Sequence, residues 1–341
     1  MASVKDFLAA KFEKKAESGL KQALDDMTGP EMSTEELFSF AEYNEEEAQR
    51  TGYSDYSYWG STVRLFLKNK GAVFMLLVMV AIIAFAFIQP YLPNQFDPNK
   101  ANMNAMFIPD RNIKPNSTYW WGTNSIGQDL WARIWAGTKT SLFIGFAVAI
   151  IEAVVGITMG VLWGYVRKLD FFFTELYNVI DNIPQTIILI LLSMILRPSI
   201  KTLIFAMTIT GWIGMARFIR NQIIIIRDRD YNLASRCLGT PTRKLVMRNL
   251  LPYLVSVIML RMALAIPGAI GSEVFVTYIG LGLPSSTPSL GILINEGRSV
   301  MMNASQRYQL IFPVVILSIV TISFYIIGNA FSDAADPKNH R

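Results

Sequence analysis

Six apolar stretches, each long enough to cross a bilayer, constrain this chain more than any other feature: approximately 71–92, 140–166, 174–196, 202–226, 253–280 and 308–331. A helix rises 1.5 Å per residue, so ~20 apolar residues span the ~30 Å hydrocarbon layer. There every backbone polar group needs an internal partner, and for stretches of this length the helix supplies it. The expected fold class is an all-α polytopic membrane protein. A further apolar stretch near 274–294 is interrupted by Gly280, Gly282, Pro284, Pro288 and Gly291. Its second part reads as a loop or re-entrant segment on the outer side, not a seventh span.

Composition agrees. Charged residues make up 17% of the chain, below the ~25% usual for a soluble domain. The first 20 residues carry Lys5, Lys11, Lys14 and Lys15 but no long apolar core, so no cleavable signal peptide is expected. The single Cys237 excludes an intrachain disulfide, and the single His340 argues against a histidine-based metal site or triad. No phosphate-binding glycine loop, metal-ligand cluster or nucleophile–base constellation occurs. The chain therefore reads as a non-enzyme without a cofactor or metal of its own, and no nucleic-acid partner is expected.

Charge divides the chain and orients it. Residues 1–60 carry six Lys/Arg against thirteen Asp/Glu, a net of −7, while the whole chain is +5. Arg64, Lys68 and Lys70 precede the first span, and Arg167 and Lys168 follow the second. The loop 227–252 carries Arg227, Arg229, Arg236, Arg243, Lys244 and Arg248 against Asp228 and Asp230. With six spans these groups share one side, which the positive-inside rule makes cytoplasmic, with both termini inside. Three regions follow: an acidic cytoplasmic tail at 1–55, an interfacial lead-in helix at 56–70, and the membrane body at 71–341. In the tail, Phe7, Leu8, Phe12, Ala16, Leu20 and Ala23 repeat at helical spacing, and Ser33 with Glu36 resembles a capping box. A solvated, partly ordered tail is the plainer reading; an arm on the lipid surface or on a partner is the other. Tyr58 and Trp59 suit the headgroup zone.

Gly156, Gly160 and Gly164 in the second span form a small-xxx-small stripe that permits close helix packing. Glu152, Asp181, Arg217, Arg220, Arg261 and Glu273 are charges within spans, which are costly unless they face a cavity or each other. Arg217 and Arg220 read as anchors reaching the cytoplasmic interface. Asp181, near a kink expected at Pro184, and Arg261 and Glu273, either side of Pro267, are candidates for a passage or its gate. Structural ion pairing is the alternative. The loop 230–252 reads as a short helix ending near Gly239, a turn at Thr240-Pro241, a second short helix carrying Arg243, Lys244 and Arg248, and Pro252 opening the next span. Such a loop either transmits force from a soluble partner or only sets topology. Physics alone leaves both open.

The loop resembles the signature of ABC-importer membrane subunits, Glu-Ala-Ala-xxx-Gly followed after nine residues by Ile-x-Leu-Pro. Leu233, Ala234 and Ser235 take the first three positions, Gly239 the glycine, Asn249 the isoleucine, and Leu251 and Pro252 the end. Leu233, Ser235 and Asn249 depart from the pattern. Residues 121–142 are similar to the stretch before the second span of oligopeptide, dipeptide and nickel permeases, with Gly122, Thr123, Gly127, Asp129, Arg133, Gly137, Ser141 and Leu142 matching and Asn124 and Gln128 departing. Gly280-Leu-Gly-Leu-Pro284 and Pro288-Ser-Leu-Gly291 resemble that family's outer loop. The likeness covers roughly 56–341 and runs to the second, C-type subunit of Gram-positive oligopeptide importers of the streptococcal Ami type.

That resemblance implies six transmembrane helices of the type I ABC-importer permease fold, with a cytoplasmic coupling helix at Leu233, Ala234, Ser235, Arg236, Gly239, Thr240, Pro241, Arg243, Leu251 and Pro252. Without the family's acid at position 233, docking is expected to rest on shape at Gly239 and on Arg236 and Arg243. The implied partners are a homologous second permease subunit forming a heterodimer, two ATPases using ATP and Mg, an extracellular lipid-anchored peptide-binding protein, and membrane lipids of the bacterial cell membrane. The implied cargo is oligopeptides. The competing readings are dipeptide or nickel transport by the same machine, a stand-alone secondary transporter, for which no inverted repeat is found, and a membrane scaffold docking through its tail.

Overall fold

The computed structural model describes residues 58–336; the two expected tail helices lie outside them. Among the described residues the elements are α1 (Tyr58–Lys68), α2 (Lys70–Ile88), α3 (Leu130–Tyr165), α4 (Arg167–Asp181), α5 (Gln185–Ile195), α6 (Ile200–Arg227), α7 (Asp230–Cys237), α8 (Thr242–Tyr278), α9 (Leu290–Val300) and α10 (Tyr308–Ala334). Asn69 separates α1 from α2 and caps the latter, its side chain accepting from the Ala72 N–H at 3.2 Å.

Five of these helices are long and apolar enough to span a bilayer, and α4 with α5 makes a sixth crossing bent by 75°. Packing of α3 on α6 shows why that pair must be counted as one. Gly156 faces Trp212 and Met215, Gly160 faces Ala216 and Ile219, and Gly164 faces Arg220 and Ile223. The numbers rise together, so α3 and α6 run parallel. Two consecutive long helices can be parallel only if the chain between them returns across the layer, and α4–α5 is that return. Its bend falls where Pro184 follows Ile183, since the residue before proline is excluded from helical geometry.

Three boundaries differ from expectation. Helix α3 begins at Leu130 and not near 140, because Asp129 caps it and its first turns are buried against the outer loops. The second arm of the basic loop is not a separate helix opened by Pro252: α8 is continuous from Thr242. A π-turn at Val246–Leu250 absorbs the proline, with the Leu251 N–H bonding the Val246 carbonyl. Proline has no N–H to give the preceding turn, and a widened turn accommodates it. Finally, α9 is a short helix of 11 residues, about 16 Å long; this is too short to span, and the interrupted stretch before it is a turn.

Candidate functional site

The basic loop between α6 and α8 is a hydrogen-bonded hairpin with an exposed tip. Helix α7 ends in a Schellman motif: the Gly239 N–H donates to the Arg236 carbonyl at 3.0 Å and the Thr240 N–H to that of Ser235 at 3.1 Å. Gly239 has φ +78°, and a Cβ there would meet nothing within 4 Å. Its glycine is thus required by backbone sign and not by crowding. Pro241 then starts α8. Asn232, fully buried, fastens α7 to the end of α6 by donating to the Ile226 carbonyl at 2.9 Å, and it accepts from Asn249 at 3.2 Å. Below, Leu245, Leu250 and Leu254 pack with Ile219, Ile223 and Ile226. Arg227 donates to the Gly164 carbonyl at 2.8 Å and to Asp228, whose carboxyl this hydrogen bond holds below its usual range.

What the hairpin presents outward is Leu233, Ala234, Arg236, Gly239, Pro241 and Arg243, with Leu238 at the apex 87% exposed. Ser235, Thr240 and Leu251 are half-buried, Ser235 donating back to the Tyr231 carbonyl, and Pro252 is exposed. The resulting surface is an apolar knob ringed by cations. Asn249, which departs from the family pattern, has a use here: it joins the two arms. Its partner Asn232 stands outside the motif, and its only signal in the sequence is that it is a polar residue on the same short helix.

The residues matching the permease motif before the second span assemble on the opposite, α3 N-terminal end. Gly122 and Gly127 take φ +78° and +89° in the loop. Arg133, Gly137 and Ser141 fall at i, i+4, i+8, one face of α3. Arg133, fully buried, pairs with Glu296 of α9 at 2.9 Å and donates to the Pro98 carbonyl. A Cβ at Gly137 would meet the Ser289 backbone at 3.0 Å, and Ser141 accepts from the Leu290 N–H at 3.0 Å. Burial pushes the Asp129 carboxyl up to about 6, against the lowering effect of the Ala132 and Trp131 N–H groups. Its stabilising effect is then complete below the ordinary carboxylate value of 3.8 and is lost as pH rises toward about 6. Asp129→Asn keeps a capping oxygen without the charge. It is expected to flatten the thermal-unfolding profile of the purified complex across this window and to gain up to ~3 kcal/mol over wild type above it. A wild-type complex that grew more stable with rising pH there would contradict this.

The three passage candidates are not brought together. Glu273 is 0% exposed and accepts from Ser289 at 2.7 Å, Thr277 at 3.1 Å and Ser141 at 3.3 Å. It is enclosed by the chain's own hydroxyls and ties α3, α8 and the start of α9 together. Asp181 is exposed and lies 3.9 Å from Arg217. Arg217 also bonds the Tyr177 hydroxyl and stacks over its ring, while Arg220 pairs with Asp170 at 2.7 Å. These two arginines therefore hold α4 on α6 and do not only reach for headgroups. Arg261 is exposed, with its guanidinium 4.5 Å above the Phe218 ring.

A helical membrane body with a hydrogen-bonded, exposed hairpin between its fourth and fifth spans is a polytopic membrane protein with a protruding basic loop. The chain belongs to the family described as binding-protein-dependent transport system inner membrane component, whose model matches residues 156–341; residues 57–115 match the N-terminal TM domain of oligopeptide transport permease C. It is a multi-pass permease subunit of an ABC importer. It is 41% identical to the oligopeptide transport system permease protein AmiD of Streptococcus pneumoniae, over 91% of this chain and 100% of that one. It is 31% identical to the Bacillus subtilis dipeptide permease DppC, over 90% of this chain and 94% of that protein, and 31% identical to the OppC oligopeptide permease of the same species, over 89% and 97%.

Proposed function

We propose that this subunit forms half of a cell-membrane passage for oligopeptides and is driven through the 227–252 hairpin by partner ATPases. The observation that carries the coupling reading is the stapled, apolar-tipped hairpin: Leu238 stands exposed while Asn232 and Gly239 fix the angle at which it stands. A knob fastened to α6 and α8 by Asn232, Asn249 and a buried apolar base passes a push on its tip into both spans. The cargo reading rests on the relatives named for oligopeptide transport; a dipeptide cargo is the second reading, favoured by the similarity to a dipeptide permease.

In this assembly a homologous second permease completes the passage as a heterodimer, two ATPase subunits bind ATP and Mg, and a lipid-anchored extracellular binding protein delivers the peptide. The hairpin and both termini face the cytoplasm, in keeping with the basic residues at the span ends. Asp181, Arg261 and Glu273 are the candidates for the passage or its gate, the first two being exposed charges of spans and Glu273 a buried one. Purification with endogenous partners tests the assembly. Co-purification of two ATPases with peptide-stimulated ATP hydrolysis is the expected result; a transporting monomer indifferent to ATP would overturn it.

A further inference from the structure

Two opposite charges face one cavity between α3, α6 and α8 without pairing. Glu152 and Arg261 both line a space of about 260 Å³ whose other walls include Ala149, Ala153, Gly214 and Ala265. Among the described residues Glu152 has no ion pair within 4.0 Å. Its carboxylate lies against α6 in the place a Cβ of residue 211 would take, so a side chain at Gly211 would turn it elsewhere. The same carboxylate walls a second space of about 220 Å³ that also touches Gln185 and Ser272. Beside them, Gly214 and Gly268 have open space where a Cβ would stand. Arg261, Ala265, Gly268 and Ser272 fall on one face of α8, about 16 Å from first to last.

A full charge inside a span is costly unless something meets it. Here an acid and a guanidinium both border unfilled space, lined by Ala149, Ala153, Gly214 and Ala265 together with Met215, Met262 and Leu264. A short free-ended peptide carries one ammonium and one carboxylate, and three extended residues measure about 10 Å. We propose that Glu152 and Arg261 form a transit site for zwitterionic peptides, Glu152 receiving the terminal ammonium and Arg261 the terminal carboxylate, while Gln185 and Ser272 offer polar contacts to the peptide backbone. Charge-assisted hydrogen bonds of this kind discriminate a charged terminus from a blocked one. The site rests on the peptide reading above.

The test uses the complete complex in proteoliposomes with a free-ended tripeptide and its N-acetylated counterpart. Glu152→Gln is expected to lower uptake of the free-ended peptide about tenfold and to leave the acetylated one unchanged. Arg261→Gln does the same for the free against the C-amidated peptide, and Glu152→Asp recovers part of the loss. Equal loss for free and blocked peptides, or no loss, overturns the site. Loss of the second permease subunit on purification of Glu152→Gln also overturns it, assigning the charge to the subunit interface. A wild-type complex that takes up none of these peptides overturns the cargo reading itself.

Discussion

A Gly239→Val variant is expected to insert and assemble, to hydrolyse ATP, and to import almost nothing. Gly239 sits at φ +78° with open space around its α-carbon. A branched side chain fits that space and is disfavoured by the backbone, at a cost of roughly 1–2 kcal/mol for left-handed geometry. The chain relieves this by opening the Schellman turn that holds Gly239 on Arg236 and Thr240 on Ser235. The apex Leu238 and the flanking Arg236 and Arg243 then point elsewhere, while the buried base around Asn232, Leu245 and Leu250 stays intact. Uptake and ATP hydrolysis measured together should show uptake falling at least about tenfold with hydrolysis continuing. Gly239→Asn is the control, because asparagine tolerates positive φ and should keep most of the uptake. Normal import by the valine variant would remove the coupling role from this turn.

Gly160→Leu is expected to abolish accumulation of the subunit. A Cβ at 160 would stand 2.5 Å from the Ala216 carbonyl oxygen and 2.7 Å from the Ile219 Cβ. A backbone carbonyl in the middle of α6 cannot step aside, so the two helices must separate. Overpacking of a fitted core costs typically ~1–3 kcal/mol per site, and between helices in lipid the contact itself is the main source of association. Immunoblots of membranes should show Gly160→Leu lost by at least about tenfold and Gly160→Ala reduced less. Gly271→Ala, where a Cβ would meet nothing within 4 Å, should match wild type. A normal level of the leucine variant would mean that α3 and α6 do not depend on this approach.

How legible this was from sequence depends on how local the cause is. Span existence, the break at Pro184 and the end of α7 at Gly239 follow from hydropathy, from proline and from glycine, each acting within a turn of its own position. The spacing that matches the ABC-importer loop survives the change of three of its residues, because Gly239, Leu251 and Pro252 hold the geometry and Asn249 finds a partner in Asn232. In sequence Arg261 and Glu273 are alike, both charges on one span around Pro267; their surroundings separate them. Glu273 meets three hydroxyls from α3, α8 and the turn before α9, while Arg261 opens onto a cavity. Glu152 and its place over Gly211 had no sequence signal beyond a lone acid in an apolar run.

By itself the sequence determined that this chain crosses a membrane about six times, and that its basic residues gather at the ends of particular spans. It also marked 227–252 as a hairpin closed by glycine and proline. Those properties arise from transfer energies and backbone limits that each segment carries alone. Tertiary structure alone decided that the three glycines of α3 meet α6, that Arg133 is spent on Glu296, and which in-span charges are satisfied. A charge's role is set by what surrounds it, and its neighbours here come from segments up to 172 residues apart, as Asn124 and Glu296 show.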